Sequence, residues 1–430
     1  MTPPWALRTR LSVMMFLQYA IWGAWLPLLF PFLSNHRGFS GDQIGHMFMV
    51  GGVGALVAPW LAGQIADRYF STEKFLAISH VLGGVLVWQL SVLESYWAFL
   101  AFSLLYSLIY SPTLSLTNSI SFHHLPDRDR DFGRVRVWGT VGWIAAGIAI
   151  GQWLMHHHTP IDASPDAAHA AQYAGMADAF RLSAILGGLL GLYCFLLPHT
   201  PPSKGTKANA AMEAVGEIKY NPLLTLFALA VPISCIHQFY FVHTAAFLGR
   251  YQFRAETVIN KIFGVGGGGL MTIGQMSEIV VLALIPLIAK KARRKNLLAV
   301  GIIAYAARMA VFAYADTIAG WTHVPVVAIL ILGVAMHGLC FGCFIFVAFM
   351  VVDEQTTGDV RASAQSLFNL VIVGVGIIVG SYLATSIVPR WATVDGVLDY
   401  TRLFSVPMWA SVGCLAVLLV FYRGGRDALR

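Results

Sequence analysis

Long apolar stretches alternate with short polar loops along the whole chain. About twelve of them have the roughly 20 mostly apolar residues that a helix needs to cross a bilayer. Because backbone groups surrounded by lipid must form hydrogen bonds within their own segment, each stretch is predicted to be an α-helix. The predicted spans are residues 11–34, 41–66, 75–93, 97–119, 136–155, 180–197, 223–248, 263–288, 297–315, 324–352, 362–388 and 404–422.

The composition indicates a protein dissolved in lipid. Hydrophobic residues make up 57% of the 430 residues, charged residues make up 11%, and the mean hydropathy is +0.68. A soluble domain carries about a quarter charged residues, so this chain lacks the polar groups to cover a water-facing surface. The first apolar run is longer than a signal-peptide core and is predicted to remain as the first span. We therefore expect a multi-pass protein in contact with the lipid bilayer of the cell membrane.

Lysine and arginine are concentrated in the loops on one side of the predicted membrane. The formal net charge is +7, and most cations lie in the loops on the same side as both chain ends. Cytoplasmic loops carry such an excess, so the N- and C-termini are expected in the cytoplasm. Because this distribution of positive charge is explained by the orientation of the protein in the membrane, no nucleic-acid partner is expected.

A polar segment divides the chain into two halves with six predicted spans each. Residues 199–221 follow the sixth span and are rich in Pro, Lys and Ala. The fifth span opens on Gly133-Arg-Val-Arg136, and the eleventh opens on Gly358-Asp-Val-Arg361 at the same place in its half. We therefore predict an N-terminal six-helix bundle at 1–198, a cytoplasmic linker at 199–221 and a C-terminal six-helix bundle at 222–430.

Cysteine and histidine patterns raise metal and redox alternatives. All five cysteines lie in apolar runs, so a disulfide framework is not expected. Cys340 and Cys343 form a C-x-x-C, but no βαβ pattern surrounds the pair and no second ligand pair follows it. His156, His157 and His158 follow the fifth span, where a solvated loop and a metal site both remain open. The prediction includes no metal and no cofactor.

A short motif between the second and third spans resembles a known signature. Its residues are Gly63-Gln-Ile-Ala-Asp67-Arg68, which look like the G-x-x-x-D-R core of the loop motif of the major facilitator superfamily. A glycine permits close approach of helices, and an Asp–Arg pair can join two inner helix ends. Gly63, Asp67 and Arg68 are therefore predicted to be gating or structural residues.

Further segments narrow the resemblance to one family. They are FLQYAIWGAWL in span one, SPTLSLTNSISF in span four, VRVWGTVGW in span five, QMSEIVVLALIP in span eight, ARMAVFAYAD in span nine and VRASAQSLF at the start of span eleven. In order and spacing they resemble the nucleoside:proton symporter family, the bacterial nucleoside permeases of that superfamily.

The resemblance covers residues 11–422 and implies an all-α membrane protein with about 12 transmembrane helices in two six-helix bundles. It implies import of nucleosides by proton symport through alternating access, with H+ as the coupling ion. We expect a functional monomer whose partners are a small nucleoside substrate and the bilayer.

Glu278 is the clearest ionisable residue inside a predicted span. A charged side chain at the bilayer centre costs about 2.5–3.5 kcal/mol on insertion scales, so it is expected to face protein or water. Gln275 lies three residues earlier on the same helix face. Glu278 is predicted to bind substrate or carry the coupled proton, with Arg308 in span nine as its partner. A permanent structural ion pair between Glu278 and Arg308 is the alternative.

Span five carries a polar and aromatic stripe. Arg136, Thr140 and Trp143 are spaced four and three residues apart and share one helix face. The resemblance implies that this stripe contacts nucleoside. The alternative is that Arg136 only anchors the helix end at the membrane surface.

Other spans combine a hydrogen-bonding residue with an aromatic one at helical spacing. A flat base and a polar ribose suit such a mixed wall. The groups are Gln238 with Phe241, His337 with Phe341, and Gln18 with Trp22 and Trp25. Packing is the alternative for Trp22 and Trp25, and His237 and His243 are assigned to the core.

The chain departs from the family pattern near these residues. The permeases carry an Asn near the position of Phe241, and they carry Tyr and Asp where this chain has His337 and Gly342. The missing carboxylate leaves the proton route open, and the missing amide leaves ribose recognition open. His337 can replace Tyr as a hydrogen-bond donor, or it can titrate near neutral pH.

Because of these departures, an alternative function remains, namely proton-coupled transport of a sugar or another small polar solute by a protein of the same fold. The sequence holds no H-E-x-x-H, G-x-S-x-G or phosphate-loop motif. An enzyme is therefore not expected.

Overall fold

The computed structural model describes residues 4–61, 71–201, 216, 218–252, 257–289, 291–357 and 361–423, and they are mostly helical. The longer helices are α1 Pro4–Trp25, α2 Gly41–Leu61, α3 Thr72–Leu90, α4 Tyr96–His124, α5 Arg128–His157, α6 Pro165–Gly175, α7 Ala177–Tyr193, α8 Leu223–Gly249, α9 Val258–Phe263, α10 Gly268–Ala289, α11 Arg294–Ala313, α12 Ala315–Thr322, α13 Val326–Ala335, α14 His337–Cys340, α15 Val347–Gln355, α16 Arg361–Asn369, α17 Gly376–Tyr382, α18 Val388–Ala392 and α19 Tyr400–Phe421.

Shorter helical turns continue several of these helices. An α-helical turn lies at Leu29–Pro31, 3₁₀ turns lie at Leu26–Leu28 and Cys194–Leu196, and π turns lie at Phe32–His36, Phe341–Phe346, Leu370–Val375 and Leu383–Ile387. The described residues also contain a two-residue hairpin, Thr393–Val394 with Val397–Leu398, in which Thr393 pairs with Leu398. Asp395 and Gly396 form its turn with φ of 50° and 80°, as the favoured two-residue hairpin turns require.

Within the described residues, helices lie in all twelve predicted spans. Ten helical stretches of the described chain are long and apolar enough to cross a membrane. Helices α2 and α3 lie at the second and third predicted spans. Gly63, Asp67 and Arg68 lie outside the described residues, so their predicted role stays a prediction.

The described chain forms two compact units. The first contains Met1–Gly205 and His243–Thr272, and the second contains Thr206–Val242 and Ile273–Arg430. The dividing lines fall within α8 and within α10, so the last turns of α8 and the first turn of α10 belong to the first unit. The predicted bundles at 1–198 and 222–430 and the linker at 199–221 remain predictions, and most of that linker lies outside the described residues.

In the first unit, α1 and α5 approach to backbone contact. A Cβ on Gly142 would lie 2.0 Å from the carbonyl oxygen of Phe16, and a Cβ on Gly23 would lie 2.7 Å from the Cα of Trp143. Only glycine fits at such distances. This contact sets the stripe of span five directly against span one.

In the second unit, α10 lies close to the start of α14. The backbone N–H of Gly338 donates to Ser277 Oγ over 2.9 Å, and that hydroxyl donates to the carbonyl oxygen of Gly274 over 2.8 Å. A Cβ on Gly274 would lie 2.9 Å from the Cβ of His337. The tenth span is interrupted at Met336, between α13 and α14, and this break sets the position of His337.

The start of the predicted linker is bonded to the first turn of α3. Glu73 is buried; its Oε1 lies 2.8 Å from Nδ1 of His199, and its Oε2 accepts from the backbone N–H of Thr200 over 3.0 Å. Burial alone would raise the pKa of Glu73, but hydrogen bonds that include those from Thr200 and His199 outweigh it, and the pKa is lowered. Glu73 therefore remains ionised at neutral pH and anchors the segment.

Candidate functional site

The stripe of span five packs against an aromatic ring of span one. The guanidinium carbon of Arg136 lies 4.1 Å from the ring centroid of Tyr19, a distance at which a cation is attracted to the ring face. Arg136, Thr140 and Trp143 are half-buried. The contact with Tyr19 therefore orients the Arg136 side chain. An arginine that only anchored the helix end at the membrane surface would not need this contact.

Span one directs its other predicted residues into the first unit. Gln18 is buried and donates from Nε2 to Thr113 Oγ1 over 2.9 Å, and the Tyr110 hydroxyl donates to the carbonyl oxygen of Gln18. The Trp22 ring lies 4.8 Å from that of Tyr110, and the Trp25 ring lies 5.2 Å from that of Phe180. These contacts agree with the packing alternative for Trp22 and Trp25.

His337 is the centre of a polar cluster in the second unit. Its Nδ1 lies 3.2 Å from Nη1 of Arg308, and its Nε2 lies 3.6 Å from Oε2 of Glu278. The His337 side chain is 2% exposed and the Glu278 side chain is 14% exposed. The structure thus places an imidazole beside both members of the predicted ion pair, Glu278 and Arg308, with each at one ring nitrogen.

Arg308 is fully buried between two tyrosine rings. Its guanidinium carbon lies 4.2 Å from the ring centroid of Tyr240 and 5.0 Å from that of Tyr305. Both rings offer their negative faces to the cation, which partly replaces the water it has lost. Among the described residues, Arg308 Nε and Nη2 have no hydrogen-bond partner. The carboxyl of Glu278 lies 3.6 Å from the other ring nitrogen of His337, so a counter-charge for this costly buried cation lies across the imidazole.

His237, assigned to the core from the sequence, packs against this cluster. Its Nδ1 lies 2.8 Å from the hydroxyl oxygen of Tyr305, and its ring lies 5.4 Å from that of His337 and 5.0 Å from that of Phe241. The i, i+4 spacing of His237 and Phe241 is the signal that could have identified it. Tyr240 and Tyr305 were not predicted as site residues either, because aromatic residues are common in apolar spans and their sequence positions do not distinguish them.

The remaining predicted residues of the second unit divide into two groups. The rings of Phe241 and Phe341 lie 6.2 and 6.4 Å from that of His337. Gln238 instead donates from Nε2 to Ser381 Oγ over 3.1 Å, next to span eleven. Gln275 is buried, and its Oε1 finds no partner within the described part of the chain. Its amide thus retains unused hydrogen-bonding capacity.

Gly342 lies against apolar side chains. A Cβ at this position would lie 2.6 Å from Val281 Cγ1 and 3.8 Å from Ile285 Cγ1. A carboxylate there would need both space and polar neighbours, and the surroundings offer neither.

The histidines after the fifth span make separate contacts. His156 and His157 end α5, and the His157 ring lies 3.9 Å from that of Trp153. His158 Nε2 lies 2.9 Å from Asp178 Oδ2, which also accepts from Trp153 Nε1 over 2.8 Å. No group of three or more metal-ligating side chains occurs within the described ranges.

Comparison with known proteins identifies the family. The sequence profile described as Nucleoside H+ symporter matches residues 5–427. The putative nucleoside transporter YegT of Escherichia coli (strain K12) is 31% identical over 419 residues, covering 96% of this chain and 93% of that protein. The xanthosine permease of the same strain is 29% identical over 418 residues, covering 93% and 92%.

The fold agrees with a solved transporter. A crystal structure of the nucleoside transporter NupG matches with a TM-score of 0.81 and 25% identity over 97% of this chain and 100% of that chain. This match confirms the predicted all-α architecture of about 12 membrane helices in the major facilitator fold. The relatives are transporters and permeases, which confirms that the chain is not an enzyme. The chain is a multi-pass membrane transporter that belongs to the nucleoside:proton symporter family.

Proposed function

We propose that this protein imports nucleosides across the cell membrane by proton symport, with Glu278 as the proton carrier. Membership of the nucleoside:proton symporter family supports the transport activity, and the contacts of Glu278 in the second unit support its role as proton carrier. The carboxyl of Glu278 lies 3.6 Å from the imidazole of His337 and is partly exposed. A carboxyl near a buried cation, with limited access to water, can exchange a proton without leaving its site.

The coupling between proton binding and substrate transport follows from the charge of Glu278. With Glu278 ionised, its charge offsets that of buried Arg308. Protonation of Glu278 removes this attraction, so proton binding changes the relative energies of the conformations that face outward and inward. Substrate and proton bind from outside, the substrate site becomes accessible to the cytoplasm, and both are released there. No covalent chemistry and no cofactor is required.

The substrate contacts are assigned within each unit. In the first unit, Arg136 and Thr140 supply hydrogen bonds and Trp143 supplies a flat ring for the base. In the second unit, Gln275 offers an unused carbonyl oxygen and Phe241 and Phe341 offer aromatic surface. Gln238 remains a proposed contact as well, and its bond to Ser381 would have to be exchanged for one to substrate.

The decisive variant is Glu278→Gln, assayed in proteoliposomes with labelled nucleoside. The amide keeps the shape of the side chain but cannot exchange a proton. Accumulation driven by a pH gradient should disappear, while exchange of external for internal nucleoside should continue. Glu94→Gln is the matched control, because the side chain of Glu94 is 86% exposed. Undiminished uphill uptake in Glu278→Gln would remove Glu278 from the coupling role.

The second candidate, transport of a sugar or other small polar solute, is favoured by the absence of a side chain at Gly342 and by the imidazole of His337. Uptake of labelled nucleoside in competition with free ribose and with unlabelled nucleosides separates the two. Inhibition by ribose but not by nucleosides would favour the second candidate. A functional monomer and cytoplasmic termini complete the proposal, and single-cysteine labelling from each side of the membrane tests the orientation.

A further inference from the structure

The contact between Arg308 and His337 determines which imidazole nitrogen carries the proton. Nη1 of Arg308 lies 3.2 Å from Nδ1 of His337. A guanidinium only donates hydrogen bonds, so Nδ1 must offer its lone pair. The single proton of the neutral ring is then on Nε2, which faces Oε2 of Glu278 at 3.6 Å.

Protonation of His337 would break this arrangement. An imidazolium carries N–H groups at both nitrogens, so Nδ1 would present a donor to a donor, with two positive charges at 3.2 Å. Glu278 at the other nitrogen favours the imidazolium, but its oxygen is farther away and its charge is lost whenever the carrier is protonated. The Arg308 cation is permanent. The balance therefore keeps the ring neutral through the cycle.

The other groups around His337 do not reverse this balance. From α8, His237 and Tyr240 face the ring, and from α11, Tyr305 accompanies Arg308. Cys340 lies on the same helix as His337. Among these neighbours, the acidic group in contact with the imidazole is Glu278 of α10, and it lies on the Nε2 side.

The ring is also held against rotation. It stacks on Tyr240 with centroids 4.9 Å apart and an interplanar angle of 21°. The bond from Gly338 N–H to Ser277 Oγ fixes the backbone next to His337. The backbone of Gly274 lies so close to His337 that a Cβ added on Gly274 would come within 2.9 Å of the His337 Cβ. An imidazole that is stacked and bonded at Nδ1 presents its Nε2–H in one direction.

We infer that Arg308 is a positioning residue, which holds His337 in the neutral Nε2–H tautomer and so makes it a fixed hydrogen-bond donor. This inference rests on the proposed function and deepens it. The exchangeable proton is confined to Glu278. The Nε2–H faces Glu278 at 3.6 Å, so a substrate acceptor, such as a base carbonyl, a ring nitrogen or a ribose oxygen, has to compete with this carboxyl for the donor, and His337 thereby selects substrates that present such an acceptor.

Nucleoside exchange at equal pH on both sides of the proteoliposome tests the inference, because exchange needs no net proton flux. In wild-type protein the pH dependence of KM should come from Glu278 alone, so Glu278→Gln should flatten the profile between about pH 5 and pH 8. Arg308→Met removes the cation that opposes an imidazolium at position 337, and KM should rise about threefold or more over the wild-type value toward the acid end while kcat changes less. Arg308→Lys keeps a cationic donor and should restore most of the wild-type profile.

Two further variants isolate the imidazole. The first is the double variant Arg308→Met/His337→Gln, which should lose the new pH dependence because the introduced amide cannot titrate. Arg402→Met is the control for loss of an arginine, because Arg402 is half exposed and pairs with Asp399 at 3.6 Å. A KM profile of Arg308→Met that follows the wild-type profile would overturn the inference.

A spectroscopic measurement does not depend on transport. Nitrogen-15 spectra of histidine-labelled wild-type protein, with His337→Gln to assign the missing signals, should show one neutral Nε2–H ring through the acidic range. An imidazolium signal from His337 at mildly acidic pH would contradict the inference even if transport is normal. If wild-type protein exchanges no nucleoside, the proposed function fails, while the spectra still decide the tautomer.

Discussion

Gly264 lies against the backbone of Gly151 so closely that a Cβ on Gly264 would come within 1.9 Å of the Gly151 carbonyl carbon. The backbone N–H of Val265 donates to the carbonyl oxygen of Gly151 over 3.0 Å, and Gly264 has a φ of +72°. The segment that contains α9 is therefore joined to α5 by direct backbone contact within the first unit.

Gly264→Ala is expected to destabilise the protein for two reasons, a backbone conformation that is essentially restricted to glycine and a steric clash. The backbone, with φ 72° and ψ −160°, costs a residue other than glycine about 1–3 kcal/mol, and overpacking adds about 1–3 kcal/mol. Gly396→Ala is the matched control, because Gly396 has a φ of +80° with nothing within 4 Å of a Cβ. Thermal unfolding in detergent should show a larger loss for Gly264→Ala. Equal losses would mean that the contact with Gly151 relaxes without penalty.

The carboxylate of Glu73 predicts a pH dependence. Since its folded pKa lies below the ordinary 4.5, ionised Glu73 stabilises the fold at neutral pH, and this contribution is lost as the pH falls below 4.5 through the folded value. Glu73→Gln should cost about 1–3 kcal/mol at neutral pH, because it weakens hydrogen bonds to a buried charge.

The measurement for Glu73 compares unfolding midpoints of wild type and Glu73→Gln from neutral to acidic pH. The difference should shrink once the wild-type carboxyl is protonated. Glu94→Gln, at a side chain that is 86% exposed, should show no comparable difference. A gap between wild type and Glu73→Gln that stays constant with pH would argue against an ionised anchor.

Steric exclusion at Gly342 can be measured by a double-mutant cycle. Gly342→Ala places a methyl group 2.6 Å from Val281 Cγ1 and should cost about 1–3 kcal/mol of stability by overpacking. Val281→Ala removes that carbon, so the double variant should be more stable than the sum of the single changes predicts. Strict additivity would show that Val281 is not the obstacle.

The stacking of Arg136 on Tyr19 predicts a difference between arginine and lysine. Arg136→Lys keeps the charge but loses the planar contact at 4.1 Å. Loss of about 0.5–2 kcal/mol of cation–π attraction should disorder the side chain and raise the KM for nucleoside by about two- to thirtyfold. Arg134→Lys, at a side chain that is 58% exposed, should leave KM unchanged. The same KM in both variants would argue that Arg136 is an anchor only.

Much of the candidate site could be predicted from single residues. Glu278 and Arg308 stand out because ionisable side chains are expensive in apolar spans, and the structure places both beside His337. The stripe of Arg136, Thr140 and Trp143 follows from helical spacing alone. In contrast, His237 could not be distinguished from a core histidine, and the partner of Gln238 could not be foreseen, because both depend on which helix lies opposite.

The sequence by itself determined the membrane class, the helical spans and the family, because lipid imposes its demands on every residue of a span in the same way. Hydropathy is a property of the chain, and it survives any rearrangement of the helices. Only the tertiary structure decided that His337 has Arg308 at one ring nitrogen and Glu278 at the other. That contact depends on the break at Met336, on the bond from Gly338 to Ser277 and on the rotation of three helices, and a one-residue shift of any of them would turn the side chain elsewhere.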